Sequence, residues 1–225
     1  TLDLTAGTNG VLVSLTSLTA IEIVQGTNAA TAGHDGTQDT LGGGNNAENF
    51  SITAQNPDGS DGTVVDTVTT LTTTFTNFEN LQGGGGNDAF ALANGIGVAG
   101  TIDGGTESDT LDYSAFTTAV SVNLSAGTAA NTNGISNVEN VTGGTGNDVL
   151  IGSTGANSLV GGNGDDQLTD NFGDDTLVGG NGSDIYNLTP GNLASGSADI
   201  IDENGTTGTD TLDFSSATGP ITIDL

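Results

Sequence analysis

GGTGNDVLI at residues 143–151, GSTGANSLV at 152–160, GGNGDDQLT at 161–169, DNFGDDTLV at 170–178 and GGNGSDIYN at 179–187 are five consecutive nonapeptides without remainder. Every unit has glycine at its fourth place, and four of the five have aspartate at the sixth. The eighth place reads Leu150, Leu159, Leu168, Leu177 and Tyr186. A fixed nine-residue period of this kind belongs to solenoids, in which each unit must hold a short strand and a tight turn. Residues seven to nine, such as Val149, Leu150 and Ile151, are expected to be the strand, with position eight pointing inward. Glycines at positions one, two and four are expected to supply the positive φ angles that reverse the chain within six residues. Two units make one full turn, so each aspartate meets its counterpart eighteen residues on.

That stacking sets Asp148, Asp166 and Asp184 in one column, where carboxylates about 5 Å apart repel one another. A hard divalent cation between successive loops removes the conflict. Calcium suits such a loop, because it accepts six to eight oxygens in loose geometry, backbone carbonyls included. Magnesium demands a small octahedron, and zinc prefers nitrogen and sulfur. With no cysteine and one histidine in the chain, zinc is a poor fit.

The repeats resemble those of the RTX family of secreted calcium-binding proteins, and the likeness is closest to RTX segments of large bacterial surface-layer, adhesin or filament proteins. The resemblance implies an all-β fold, a right-handed parallel β-solenoid (β-roll) with calcium in the turns. In the family one loop gives the carbonyls of positions two and four and its aspartate; the loop one turn later gives the carbonyls of one and three and its own aspartate. Carried over, Gly144, Gly146 and Asp148 share an ion with Gly161, Asn163 and Asp166. Gly162, Gly164 and Asp166 share another with Gly179, Asn181 and Asp184. On the opposite edge Asn157 replaces the aspartate that would face Asp175, so a site there is expected to be weaker or empty. In the first half Gly84, Gly86 and Asp88 are matched to Gly104, Thr106 and Asp109, with Asp103 as a further carboxylate nearby and Glu107 where glycine belongs. A loop at 205–210 is expected to face Asp184. Residues 33–51 are a worn version in which Asp39 and Glu48 hold the acid positions.

Composition points the same way. The 225 residues include 28 Asp plus Glu and no Lys or Arg, for a formal charge of −28. Such a chain cannot neutralise itself, and with 38 glycines and 33% hydrophobic residues its self-repulsion opposes compaction. External cations therefore belong to the folded state, and metal binding free energy becomes folding free energy. The lack of basic residues argues against nucleic acid and anionic membrane as partners. No apolar run approaches the length of about eighteen residues that a membrane-spanning helix needs, so direct membrane insertion is not expected. No cysteine means no disulfide, leaving calcium to indicate the compartment, which is extracellular.

Three segments, TLDL at 1–4, TLDYS at 110–114 and TLDFS at 211–215, mark the starts of similar stretches. The chain thus reads as a first super-repeat at 1–109, a second at 110–210 that contains the contiguous repeats, and the opening of a third, or a C-terminal strand, at 211–225. Residues 63–78 and 119–124 alternate and are β-branched, as strands are. The segments 57–59 and 189–191 read as turns. No helix is expected.

His34 stands in no nucleophile motif, so it reads as a solvated loop residue rather than a general base. Glu22, Glu79 and Glu139 recur at equivalent places, whereas a glycosidase needs one acid pair at a defined separation. The threonines of 67–76 form no rank repeated on successive turns and read as an exposed strand. The expectation is a non-catalytic, calcium-dependent extracellular structural module that meets copies of itself or neighbouring repeats end to end. The alternative is the accessory RTX part of a secreted enzyme whose catalytic domain lies outside this chain.

Overall fold

The computed structural model describes residues 40–56, 59–68, 70, 72–189 and 199–216, with the backbone of the short strands Leu2–Asp3, Leu12–Ser14 and Ile23–Gln25. His34, Glu22, Asp39 and the expected turn residues 57–58 and 190–191 lie outside the described residues. The fold is all-β, with no helix among the described residues. It divides into two compact units: residues 1–112 with 128–138, and residues 113–127 with 139–225.

The second unit carries the nonapeptides. Asn140–Thr142, Ser158–Asn163, Thr176–Asn181 and Ile200–Ile201 pair in parallel in one ladder. Ser121–Asn123, Val149–Ile151, Gln167–Thr169, Ile185–Asn187 and Thr211–Asp213 pair in parallel in another. Within the repeats partners differ by eighteen residues, as in Leu150 with Leu168 and Leu159 with Leu177. Consecutive nonapeptides therefore alternate between the ladders, and two of them return the chain to the same ladder. The hydrophobic residue at position eight is buried in every unit: Leu150, Leu159, Leu168 and Leu177 are 0% exposed and Tyr186 1%. Burying each such side chain stabilises the fold by about 1.5–3 kcal/mol. Tyr113 and Phe116 close the start of the unit with rings 4.9 Å apart, edge to face.

In the first unit Leu12–Ser14, Thr40–Gly42, Asn80–Gly85, Ile102–Thr106 and Ile135–Ser136 form one parallel ladder. Glu48–Asn56, Ala89–Leu92 and Thr110–Asp112 form part of another. Phe50 and Phe90 stack at 4.7 Å between neighbouring strands of it. The first unit departs from the expected purely parallel arrangement. Residues 63–78 fold as two strands of a hairpin: Gly59–Asp66 runs antiparallel to Thr72–Phe78 and to Glu48–Asn56. The cause lies at Asp66, whose side chain accepts the Val68 N–H at 2.8 Å while its carbonyl accepts the Thr70 N–H at 2.8 Å. Thr70 takes a left-handed φ of 56°. An Asx turn of this type competes with the ladder and wins where the carboxylate can reach its own backbone. The threonine strand is consequently interior to its sheet, with Thr73 and Phe75 buried and Thr72 and Thr74 exposed. Glu79 and Glu139 stand just before the strands Asn80–Gly85 and Asn140–Thr142 rather than within them.

Candidate metal centre

The sixth residue of each unit ends a loop, directly before the strand that starts at position seven, and its backbone N–H meets an acid one turn later. Asp148 N–H donates to Asp166 Oδ1 at 2.7 Å, and Asp166 N–H to Asp184 Oδ1 at 2.8 Å. Asp184 N–H continues the series to Asp210 Oδ1 at 2.9 Å. At the near end Asp148 Oδ1 accepts the Val120 N–H and its Oδ2 accepts the Gly144 N–H, both at 2.8 Å. The column expected from the period is thus present as a ladder of carboxylates, with Asp148 held by both oxygens and Asp166 and Asp184 by one. The first unit builds the same thing from Glu48, Asp88 and Asp109: Glu48 N–H donates to Asp88 Oδ1 at 2.6 Å and Asp88 N–H to Asp109 Oδ1 at 2.7 Å.

The other oxygen is where the ladder leaves chemistry undone. Asp166 and Asp184 are 0% exposed, Asp88 and Asp175 1%, and Glu48 2%. One oxygen of each, Oδ2 in the aspartates and Oε2 in Glu48, is buried without a hydrogen-bond partner. A buried acceptor in this state costs about 1–3 kcal/mol, and more if charged. Burial is the main cause that lifts Asp166 to a pKa of about 7, followed, after the opposing Asp148 N–H, by the charges of Asp148, Asp184 and Asp165. Asp175 is lifted to about 6, again chiefly by burial. Asp148 and Asp184 are raised for the same first reason. Glu48 and Asp88 are both pushed up by burial, and Glu48 further by the Asp88 charge. An array of buried, oxygen-only, anionic acceptors fits a hard divalent cation, since no nitrogen or sulfur donor and no basic residue takes part.

Backbone carbonyls come to the same loops, because glycine lets successive turns touch. A Cβ on Gly161 would collide with Asp166 Oδ2 and approach the Gly179 carbonyl at 2.7 Å. Gly143 and Gly179 are hemmed in likewise by Asp148 and Asp184, and in the first unit Gly83 and Gly104 by Asp88 and Asp109. At Gly143, Gly161 and Gly179 position one therefore uses glycine for this close approach, whereas the fourth unit has Asp170 there. The expectation of a positive φ at position one is corrected: positive φ occurs at positions two and four of the later units, as at Gly162 (113°), Gly164 (122°), Gly180 (104°) and Gly182 (141°), and not at Gly144, Gly146 or Gly155. Gly84, Gly86 and Gly105 follow the same rule. Gly162 and Gly164 pack directly over the carbonyls of Gly144 and Gly146. The Gly144 carbonyl also accepts the Asn163 N–H at 3.0 Å, and the Asn181 carbonyl the Gly164 N–H at 2.8 Å, which leaves each a second lone pair.

Several residues stand differently from the simple pattern. Glu107 takes the glycine place with a φ of 77°; its side chain accepts the Gly86 N–H at 3.0 Å and the Thr106 hydroxyl. Those bonds, the Thr106 one first, hold its pKa below the usual range. Asp103 accepts from the side-chain amides of Asn137 (2.7 Å) and Gln82 (3.4 Å). On the second edge Asn157 N–H donates to Asp175 Oδ1 at 2.7 Å, so the register is kept. The Asn157 amide is spent on its own unit's neighbours, accepting from Ser153 N–H and donating to the Glu139 carbonyl at 2.8 Å. Asp175 N–H instead finds Asp199 Oδ1 at 3.1 Å. Asp199 and Glu203 escaped sequence reasoning because both follow the last nonapeptide. Only an acid spaced before a Leu or Tyr strand, as Asp210 before Leu212, kept a readable signal.

No curated protein matches the chain. Residues 134–168 and 160–192 match the model of the RTX calcium-binding nonapeptide repeat. Calcium is the ion that such repeats bind, and the segment 134–192, with its ladder of buried aspartates, is an array of RTX calcium-binding nonapeptide repeats.

Proposed function

We propose that this chain is a non-catalytic, calcium-dependent structural module of a secreted protein, a part of a surface layer, adhesin or extracellular filament. Calcium sits between successive turns of a right-handed parallel β-roll. One ion is held by Gly144, Gly146 and Asp148 with Gly161, Asn163 and Asp166; a second by Gly162, Gly164 and Asp166 with Gly179, Asn181 and Asp184. A third lies in the first unit, where Gly84, Gly86 and Asp88 meet Gly104, Thr106 and Asp109, with Asp103 behind the loop. Asp175 forms a weaker site, because Asn157 brings no charge. The observation that carries the reading is the repeated buried carboxylate oxygen without a partner, at Asp88, Asp166, Asp175 and Asp184.

A building role is favoured over an accessory part of an enzyme by the first unit, whose Glu48, Asp88 and Asp109 ladder lies outside the matched repeats. Super-repeats at 1–109 and 110–210 suit a chain that meets copies of itself end to end; −28 charges and no cation oppose nucleic acid and anionic membrane. The test is calorimetry of the intact chain with calcium. At least two ions are expected to bind at about 10⁻⁴ to 10⁻³ M, the range of extracellular oxygen-ligand sites. A chain that takes up no calcium at several times that concentration sinks the proposal.

A further inference from the structure

Asp184 is the last aspartate of the nonapeptides, and the acids beyond it come from outside the repeat. Asp210 supplies the next rung. Glu203 enters beside it, so that one carboxylate oxygen from each of Asp184, Glu203 and Asp210 lies within 4.8 Å of the other two. An acidic cluster alone says little, but here one member is fully buried and its Oδ2 lacks a partner. That oxygen lies on the Glu203 side. It and the Tyr186 hydroxyl both crowd the position of a Cβ on Gly179, and the same hydroxyl donates to Glu203 Oε2 at 2.6 Å.

We propose that Asp184, Glu203 and Asp210 form a calcium site of three carboxylates, distinct in composition from the two-aspartate repeat sites, which latches the segment 199–213 onto the last repeat. Tyr186 is the positioning residue. It stands where the other four units have leucine, accepts the Gly179 N–H at 2.8 Å, and turns its hydroxyl to Glu203. Glu203 Oε1 is fixed in turn by the Gly205 N–H at 3.1 Å. Three negative groups favour ions of higher charge more strongly than two do, so the latch discriminates for trivalent over divalent cations and fills before the repeat sites. The inference rests on calcium ligation by the aspartate column.

The test uses terbium, which replaces calcium at oxygen sites, with emission excited through tyrosine. The chain has two tyrosines, Tyr113 and Tyr186, and no tryptophan, so sensitised emission reports an ion next to one of them. The intact chain is expected to show a sensitised phase at substoichiometric terbium. Glu203→Gln, which keeps shape and removes charge, is expected to shift that phase at least tenfold upward in terbium, with calcium uptake by the Asp148 and Asp166 loops preserved in calorimetry. Tyr186→Phe is expected to abolish the sensitised phase while ions still bind. A substoichiometric phase that is unchanged in Glu203→Gln, or that survives Tyr186→Phe, overturns the latch alone. A chain that binds neither ion overturns the latch together with the column.

Discussion

At Asp166 two loops compete for one side chain. Its Oδ1 holds the Asp148 N–H, its own N–H is held by Asp184, and its Oδ2 is buried without a partner. Because both proposed column ions include it, Asp166→Ala is expected to lose about two calcium ions and Asp148→Ala one, as counted by calorimetry under the general reading of shared oxygen sites. Equal losses would show that the ion is not shared. The pKa of Asp166 sets the pH response. Its ordinary value is 3.8 and the fold raises it to about 7. A raised carboxyl favours the metal-free fold fully below the unfolded value, and that contribution is lost as pH climbs through the folded one. The metal-free chain is therefore expected to be most ordered near pH 4 and to loosen toward pH 8. Calcium needs the ionised form, so its affinity is expected to fall as pH drops from about 7 to 5. Calorimetry at three pH values checks this; an affinity that is flat across the range would remove protons as competitors.

The strand carries the packing as the loop carries the charge. Leu168 is fully buried, with Leu150 and Tyr186 as its partners in the ladder. Leu168→Ala is expected to lower the stability of the calcium-loaded fold by about 2–5 kcal/mol, read from thermal or denaturant unfolding, with the number of bound ions unchanged. A parallel loss of ions would mean that strand and loop fail as one. This division explains what could be read in advance. A nine-residue period names the inward leucines and the aspartate at six without any structure, since both repeat on the same face. The hairpin at 59–78 was hidden because β-branched alternation looks the same on either side of a turn, and only the Asp66 side chain decides where the chain folds back. Glu48, read as a worn acid position, is a full rung of the first unit's ladder. Position-one glycine carried the wrong reason, as the missing Cβ makes room for a carboxylate and not for a rare φ.

For the whole molecule the governing number is a formal charge of −28 with no internal cation. Compaction concentrates that charge, and one inward residue per nonapeptide offsets little of the backbone entropy, about 1–2 kcal/mol per residue. In excess chelator near neutral pH the chain is expected to be expanded, and to contract with a gain of β signal as calcium reaches about a millimolar. Hydrodynamic radius and circular dichroism follow the change; a chain already compact in chelator would contradict it. The ladder of aspartates adds a direction to this order. Each backbone N–H is answered by the acid of the turn that follows, never by the one before. Damage then has an arrow: Asp166→Ala is expected to speed amide exchange at Asp148 and leave the Asp184 amide protected by Asp210, and loss of protection on both sides equally would erase the arrow. A run of such turns is always one carboxylate short at its trailing side, and Asp199 and Asp210, which belong to no nonapeptide, are what punctuates it.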